Sequence, residues 1–338
     1  MHERRMIRVA ILGASGFVGA ELLRLLALHP GLEPVAAFGD SQAGQRLADV
    51  HPHLALAYPA LRVERYSAGA LAGAELVFAA LPHGHSQALA AEILATGAKF
   101  VDLGADFRLD SAEAYERWYK EPHKVPELLS SFVYGIPELH RERIAGAQAV
   151  AAAGCYPTSA ILALKPLVGM IDPETIVVDA ASGVSGAGKG LTDETHFNSV
   201  DENFSAYGLL GHRHTAEMEM ALGGRVLFTP HLAPMNRGIL ATCYGMAKGD
   251  CDPLAALREA YADEAFVHVS ERPPSTKWTY GSNAVHLTAR YDPRTGRVLA
   301  IAALDNLVKG AAGQMIQCAN LMLGLEETAG LPRVGVWP

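Results

Sequence analysis

An α/β fold followed by an α+β domain is predicted by three observations. Short apolar strands alternate with helical patterns through the first half of the chain. A glycine-spaced turn joins the first strand to the first helix. After about residue 160 the rhythm changes to strands with few helices between them. The first two features describe a Rossmann-like doubly wound parallel sheet. The third describes a sheet covered on one face.

Taken in order, Ile7-Arg-Val-Ala-Ile-Leu12 is an apolar strand, and Gly13-Ala-Ser-Gly-Phe-Val-Gly19 turns it into a helix over 20–28, which stops before Pro30. Residues 34–38 read as a second strand. Residues 76–81, 100–103 and 149–152 read as further strands, apolar on both faces as a sandwiched sheet requires. Helical patterns intervene at 85–95 and 111–119. Beyond them, 175–180, 225–229, 239–246, 266–270, 284–291 and 297–304 read as strands, several with period-two alternation, and Asp292-Pro-Arg-Thr-Gly296 reads as a hairpin connection. The last helical pattern, 311–323, is free to pack back on the first domain. The expected division is a dinucleotide-binding domain at 1–154, completed by 308–338, and a catalytic and oligomerisation domain at 155–307.

The chain has 338 residues, half of them hydrophobic and 19% charged, with a net charge of -8. Such a chain buries a large interior and suits two domains. No basic run extends beyond Arg4-Arg5, which argues against nucleic acid or an anionic membrane as partner. The start, Met1-His-Glu-Arg-Arg5, leads straight into the first strand pattern and does not resemble a signal peptide. No apolar run approaches the roughly 20 residues that span a bilayer. Cys155, Cys243, Cys251 and Cys318 lack the spacing of a metal site or a disulfide framework, so a soluble, cytoplasmic protein without a metal is expected.

Cys155 lies in Val150-Ala-Ala-Ala-Gly-Cys-Tyr-Pro-Thr158, where a strand pattern meets a helix pattern at 158–165. A helix N-terminus favours thiolate over thiol, and Pro157 suits a first helical turn because the missing N–H has no partner there. These are the requirements of an activated nucleophile; a buried core thiol is the plainer alternative. Gly211-His-Arg-His-Thr215 supplies His212 and His214 as candidate proton partners, since histidine exchanges protons near neutral pH.

Gly13, Gly16 and Gly19 in a strand–turn–helix context predict a dinucleotide site, with the backbone close to a pyrophosphate at the helix N-terminus. Asp40, after the second strand, suits the ribose 2′-hydroxyl of NAD; Ser41 and Arg46 suit a 2′-phosphate instead, and the residues leave both readings open. Pro82, His83 and His85 follow the carboxyl end of a strand, where an open α/β sheet places ligands. Ser182-Gly-Val-Ser-Gly-Ala-Gly-Lys-Gly190 is a second glycine-rich loop. Gly190 stands where a triphosphate-binding loop requires Ser or Thr, so this loop is read as bringing N–H groups and Ser182 or Ser185 to an anion. Arg108 and Arg237 are candidate anion clamps.

Assembled in order, Gly13-Ala-Ser-Gly-Phe-Val-Gly19, Leu81-Pro-His-Gly-His-Ser86, Gly104-Ala-Asp-Phe-Arg-Leu109, Tyr134-Gly-Ile-Pro-Glu-Leu139, Gly154-Cys-Tyr-Pro-Thr158, Ser182-Gly-Val-Ser-Gly-Ala-Gly188, His212-Arg-His-Thr-Ala-Glu217, Arg237-Gly-Ile-Leu240 and Asp305-Asn-Leu-Val-Lys-Gly310 resemble the N-acetyl-gamma-glutamyl-phosphate reductases of arginine biosynthesis, relatives of aspartate-semialdehyde dehydrogenase. The resemblance spans nearly the whole chain. It implies an NADPH-dependent reduction of an acyl phosphate to an aldehyde with release of inorganic phosphate, Cys155 as nucleophile, His212 as acid–base group with His214 the alternative, and a homo-oligomer, dimer or tetramer. It places Gly13, Ala14, Ser15, Gly16, Phe17, Val18, Ser41, Pro82, His83, Ser182, Gly186 and Asn306 at the cofactor, and Arg108, Ser185, Arg213 and Arg237 at the substrate. The pattern is broken at Ala152-Ala153, where the family usually has Asn-Pro, and at Ala216, where it usually has Pro; both change backbone stiffness rather than chemistry. Competing readings are reduction of a related acyl phosphate (carrier-bound aminoadipyl or aspartyl phosphate), a cysteine-dependent acyl hydrolase or transferase, and a non-catalytic dinucleotide sensor.

Overall fold

The computed structural model describes residues 5–67 and 69–338. Met1–Arg4, on which part of the reading of the amino-terminal segment rests, lies outside them. The chain divides into two compact units, one of residues 1–153 and 311–331, the other of residues 154–310 and 332–338.

The first unit is built on seven strands: β1 (Ile7–Leu12), β2 (Leu32–Phe38), β3 (Val63–Glu64), β4 (Leu76–Ala79), β5 (Lys99–Asp102), β6 (Phe132–Gly135) and β7 (Ala149–Ala152). They lie in the order β3-β2-β1-β4-β5-β7-β6, and every pairing is parallel. All four residues of β4 and of β7 are buried, as a sheet covered on both faces demands. Pro34 is tolerated inside β2 because β3 pairs only with Ala37 and Phe38, so no ladder partner is waiting for the missing N–H.

The helix Gly313–Met322 belongs to this unit, although it lies far along the chain. It packs on β5, β7 and the helix Pro137–Ala145, and only Leu321 of its ten residues is not buried. Two of its buried amides tie it to this unit: Asn320 Oδ1 meets His29 Nε2 at 3.0 Å, and Gln317 Nε2 donates to Glu138 Oε1 at 3.1 Å.

The second unit carries the mixed sheet β12-β13-β14-β11-β8-β10-β9, from β8 (Ile176–Gly183), β9 (Ser205–Ala206), β10 (Val226–Ala233), β11 (Ile239–Met246), β12 (Val267–Val269), β13 (Val285–Asp292) and β14 (Arg297–Leu304). The β13–β14 hairpin turns at Asp292–Arg297, with Gly296 at φ +66°. Strict alternation in β11 buries Ile239, Ala241, Cys243 and Gly245, and the helix Cys155–Leu164 packs against this strand. The opposite face presents half-buried Val177, Tyr244, Leu299 and Ile301.

The end of the chain departs from the expected division. Residues 332–338 group with the second unit rather than the first, because Pro332 O accepts from Asn283 N and Val336 N donates to Tyr280 O, both at 2.8 Å. Three strands are also absent from the reading of the sequence: β3 and β9 have two residues each, and Phe132-Val-Tyr-Gly135 is only four residues long and follows directly on the 3₁₀ helix Pro126–Ser131.

Candidate active site

In the first unit a cleft of about 750 Å³ opens at the carboxyl ends of β1, β2 and β4, where strand order reverses about β1. Gly13 and Ser15 line it on one side, Asp40 and Ser41 beside them, and Pro82 and His83 opposite. Gly13 has φ +82°, and a Cβ there would run into the Ala80 carbonyl; one at Gly19 would strike the carbonyl of Gly13. These glycines let the backbone pass close to a ligand at the N-terminus of the helix Phe17–Leu26, whose cap is Gly16. Ala14 is wholly buried, and Phe17 is partly exposed. The arrangement suits a pyrophosphate, so the residues present fit a dinucleotide.

His83 both lines this cleft and shapes its turn. Its Nε2 lies 2.9 Å from Glu121 Oε1 and its ring stacks on Tyr119 at 4.6 Å. Buried Asp106 accepts from Gly84 N at 2.7 Å and Gln87 N at 3.2 Å, fastening the start of the helix Ser86–Ala95. Arg108 is buried, and its Nη2 donates to Leu103 O at 2.6 Å. Asp102 is wholly buried and accepts from Ser86 Oγ and Gly104 N, yet burial outweighs those bonds and pushes it up to about 7.

Cys155 is the first residue of the helix Cys155–Leu164, whose other nine residues are all buried. The helix starts earlier than the sequence suggests. Pro157 fits its third position because N–H groups of the first turn have no intrahelical partner. The sulfur is therefore half-buried at the positive end of a helix dipole. Ahead of it, Gly154 N donates to Glu217 Oε2 at 2.9 Å, and Glu217 is fully buried. Gly310 closes the other side: a Cβ there would stand 2.7 Å from Cys155 Cβ. None of the four cysteines is disulfide-bonded.

His212 and His214 meet at 4.8 Å between ring centroids, and both pack edgewise on Tyr156, the residue after Cys155. His212 Nδ1 accepts from His214 N at 3.2 Å, so the neutral ring carries its proton on Nε2. Burial first, then the charge of Arg213, lower His212 to about 4, leaving it neutral at pH 7. His214 Nε2 instead faces Glu217 Oε1 at 3.9 Å. Tyr207 touches the His212 ring at 5.5 Å and bonds the Tyr156 hydroxyl at 3.3 Å. Burial pushes the Tyr207 phenol up to about 12, against the bond to Tyr156, with the charge of Cys155 adding.

Asn306 draws three loops of the second unit together. Its Oδ1 accepts from Gly238 N at 2.7 Å, its Nδ2 donates to Ser185 Oγ at 3.0 Å, and a Cβ on Gly186 would stand 3.6 Å from that amide. Asp305 holds Leu307 N, Val308 N and Gly281 N, and lies 3.6 Å from Arg237 Nη1. Ser182 is buried beside Gly186, and Arg213 is exposed. Thus Ser182, Ser185, Gly186, Arg237 and Asn306 form one cluster, which the segment 305–310 connects to Cys155. The predicted residues Gly13–Val18, Ser41, Pro82, His83 and Arg108 belong to the first unit. Glu217, Tyr207 and Gly310 were not singled out from the sequence. Glu217 follows His214 by one helical turn and Gly310 ends a motif, which were usable signals; Tyr207 had none.

The family model described as semialdehyde dehydrogenase, NAD binding domain, matches residues 8–147, and that described as semialdehyde dehydrogenase, dimerisation domain, matches residues 155–306. N-acetyl-gamma-glutamyl-phosphate reductase of Symbiobacterium thermophilum is 52% identical, over 98% of this chain and 99% of its own. The reductase of the same name from Desulforudis audaxviator is 49% identical, over 98% of this chain and all of its own. The chain belongs to the N-acetyl-gamma-glutamyl-phosphate reductase family. Among solved structures, aspartate semialdehyde dehydrogenase II of Vibrio cholerae, complexed with ASA, shares the fold at TM-score 0.73 and 18% identity, covering 95% of this chain and 99% of that one. The aspartate semialdehyde dehydrogenase of Candida albicans, solved with NADP, does so at TM-score 0.69 and 16% identity, over 94% and 98%. For this reductase family member, two departures noted in the sequence have structural consequences. Ala153 N donates to Gly135 O at 3.3 Å, a bond proline could not make, and Ala216 N likewise donates to Arg213 O at 3.3 Å.

Proposed function

We propose that the protein reduces N-acetyl-gamma-glutamyl phosphate to N-acetylglutamate 5-semialdehyde with NADPH, releasing inorganic phosphate, as a step of arginine biosynthesis. The observation that carries this reading is Cys155 at a helix N-terminus, set between Gly310 and Glu217-bound Gly154, in a chain of this family. Cys155 attacks the acyl carbon, the carbon–oxygen bond to phosphate breaks, and a thioester forms. A dinucleotide held by the glycine loop after β1 would supply the hydride that reduces that carbon. The resulting thiohemiacetal oxyanion accepts a hydrogen bond from His212 Nε2, and its collapse to the aldehyde returns the electron pair to sulfur. A neutral His212 with Nδ1 engaged suits a donor at this point better than His214, whose ring faces Glu217.

Gly13, Ala14, Ser15, Gly16, Phe17, Val18, Ser41, Pro82 and His83 are proposed to hold the dinucleotide, with Ser182, Gly186 and Asn306 at its reacting end. Ser185, Arg213, Arg237 and Arg108 are proposed for the anionic groups of the substrate. The two-domain division of labour, cofactor in the first unit and chemistry in the second, is part of the same proposal. A homodimer through the open, apolar face of the second sheet is proposed as well; the dimerisation domain description supports it. A cytoplasmic location is proposed with it, in keeping with four cysteines outside disulfides. No described helix is long and apolar enough to cross a membrane.

The test is the reverse reaction. N-acetylglutamate semialdehyde and NADP should yield NADPH only when phosphate is present, and not with Cys155→Ser. Folded protein that binds NADP but gives no such signal would overturn the substrate assignment.

A further inference from the structure

One acidic residue of the cofactor cleft is unused by the mechanism. β2 ends at Phe38, whose carbonyl accepts from both Gly13 N at 3.0 Å and Ala14 N at 2.9 Å, so the glycine loop is stapled to the end of that strand. Gly39 then packs so closely that a Cβ would stand 2.8 Å from Ser15 Oγ. Asp40 follows directly, exposed, and lines the cleft together with Gly13 and Ser15. In a sheet wound this way, the residue just past the second strand faces the adenosine ribose, and a carboxylate there accepts from its 2′-hydroxyl.

Of the arginines near this strand end, Arg65 is exposed beside the cleft residue Tyr66, and the other two are engaged elsewhere. Arg46 donates to both oxygens of Asp49, at 2.9 and 2.7 Å, and Arg62 Nη1 donates to Gly44 O at 2.8 Å. Neither lines the cleft. Lys124 and Glu121 both do. The ribose end therefore offers a carboxylate and the Ser41 hydroxyl. That pair accepts from and donates to a 2′-hydroxyl and opposes the charge of a 2′-phosphate.

We propose that Asp40 is a cofactor-specificity residue: it admits NAD(H) to the cleft alongside NADP(H) and sets the ratio between them. The proposal rests on the dinucleotide reading of this cleft. Its test is calorimetric titration of NAD and of NADP, separately, into the wild type and Asp40→Ser. The wild type should bind the two within about tenfold of each other. Asp40→Ser should weaken NAD by about tenfold, the worth of one hydrogen bond to a charged group, and tighten NADP by a similar factor. Raising the salt concentration should narrow the wild-type difference by screening the exposed carboxylate from the phosphate. A wild type that prefers NADP by a hundredfold or more, with neither affinity moved by Asp40→Ser, would overturn the proposal and leave the dinucleotide reading intact. Folded protein that binds neither dinucleotide would overturn both.

Discussion

Gly310→Ala tests how tightly Cys155, the proposed nucleophile, is held. The added Cβ would stand 2.7 Å from Cys155 Cβ and 3.3 Å from Cys155 Cα. Carbon atoms rest at about 3.5–4.0 Å, so roughly 1 Å must be recovered by moving one segment or the other. The 305–310 segment is fastened by Asp305, which accepts from Leu307 N, Val308 N and Gly281 N, and Gly310 N itself donates to Asp305 O at 2.9 Å. On the other side, the helix of Cys155 is buried along its length. Neither segment yields cheaply, and overpacking of this kind costs about 1–3 kcal/mol of stability. A displacement near 1 Å at a reacting atom lowers turnover about a hundredfold. Steady-state kcat/KM and a denaturant midpoint, measured on the same preparation, should show both losses. Values within twofold of the wild type for activity, with an unchanged midpoint, would refute the packing argument.

Other expectations follow from burial and charge. His212 titrates at about 4 in the folded protein and near 6.5 when unfolded, so the unfolded chain binds the extra proton first as pH falls. Stability should therefore decline between pH 6.5 and 4, by up to about 3 kcal/mol from this group, and His212→Gln should flatten that part of a pH–stability curve. Asp102 behaves in the opposite sense. Its folded value is raised to about 7, so its contribution is full below the unfolded value and is lost as pH rises through 7. Asp102→Asn, which keeps an acceptor for Ser86 Oγ and Gly104 N, should be more stable than wild type at pH 8, with the advantage shrinking as pH falls from 7 and gone below about pH 4, as thermal melts would show. Ile301→Asp, on the uncovered face of the second sheet, should halve the sedimenting mass of a dimer while leaving the monomer folded; an unchanged mass would exclude that face as the interface.

Much of the fold was legible because periodicity reports burial directly. The β4 and β7 segments are apolar on both faces, and they are sandwiched; β11 alternates, and its sheet is covered on one face. Short elements escaped for the same reason, since β3 and β9 have too few residues to show a period. At the site, Cys155 and the two histidines were visible as chemistry-bearing types in suggestive positions. What brought them together was invisible. Glu217 meets Gly154 N across the interval between two helices, and Gly310 reaches Cys155 from the far end of the second unit. Such long-range contacts leave no local pattern. The tautomer of His212 depends on a single backbone N–H from His214, which only coordinates reveal.

The central claim is that Cys155 carries the acyl group, and one measurement addresses it without the reductant. N-acetyl-gamma-glutamyl phosphate is mixed with stoichiometric enzyme in the absence of dinucleotide, phosphate release is followed in the first turnover, and the intact protein mass is recorded. The account predicts a burst of about one phosphate per active site, a mass gain equal to the acyl group on the peptide containing Cys155, and loss of both in Cys155→Ser. A burst that survives in Cys155→Ser, or phosphate release from wild type with no acylated Cys155, would contradict it.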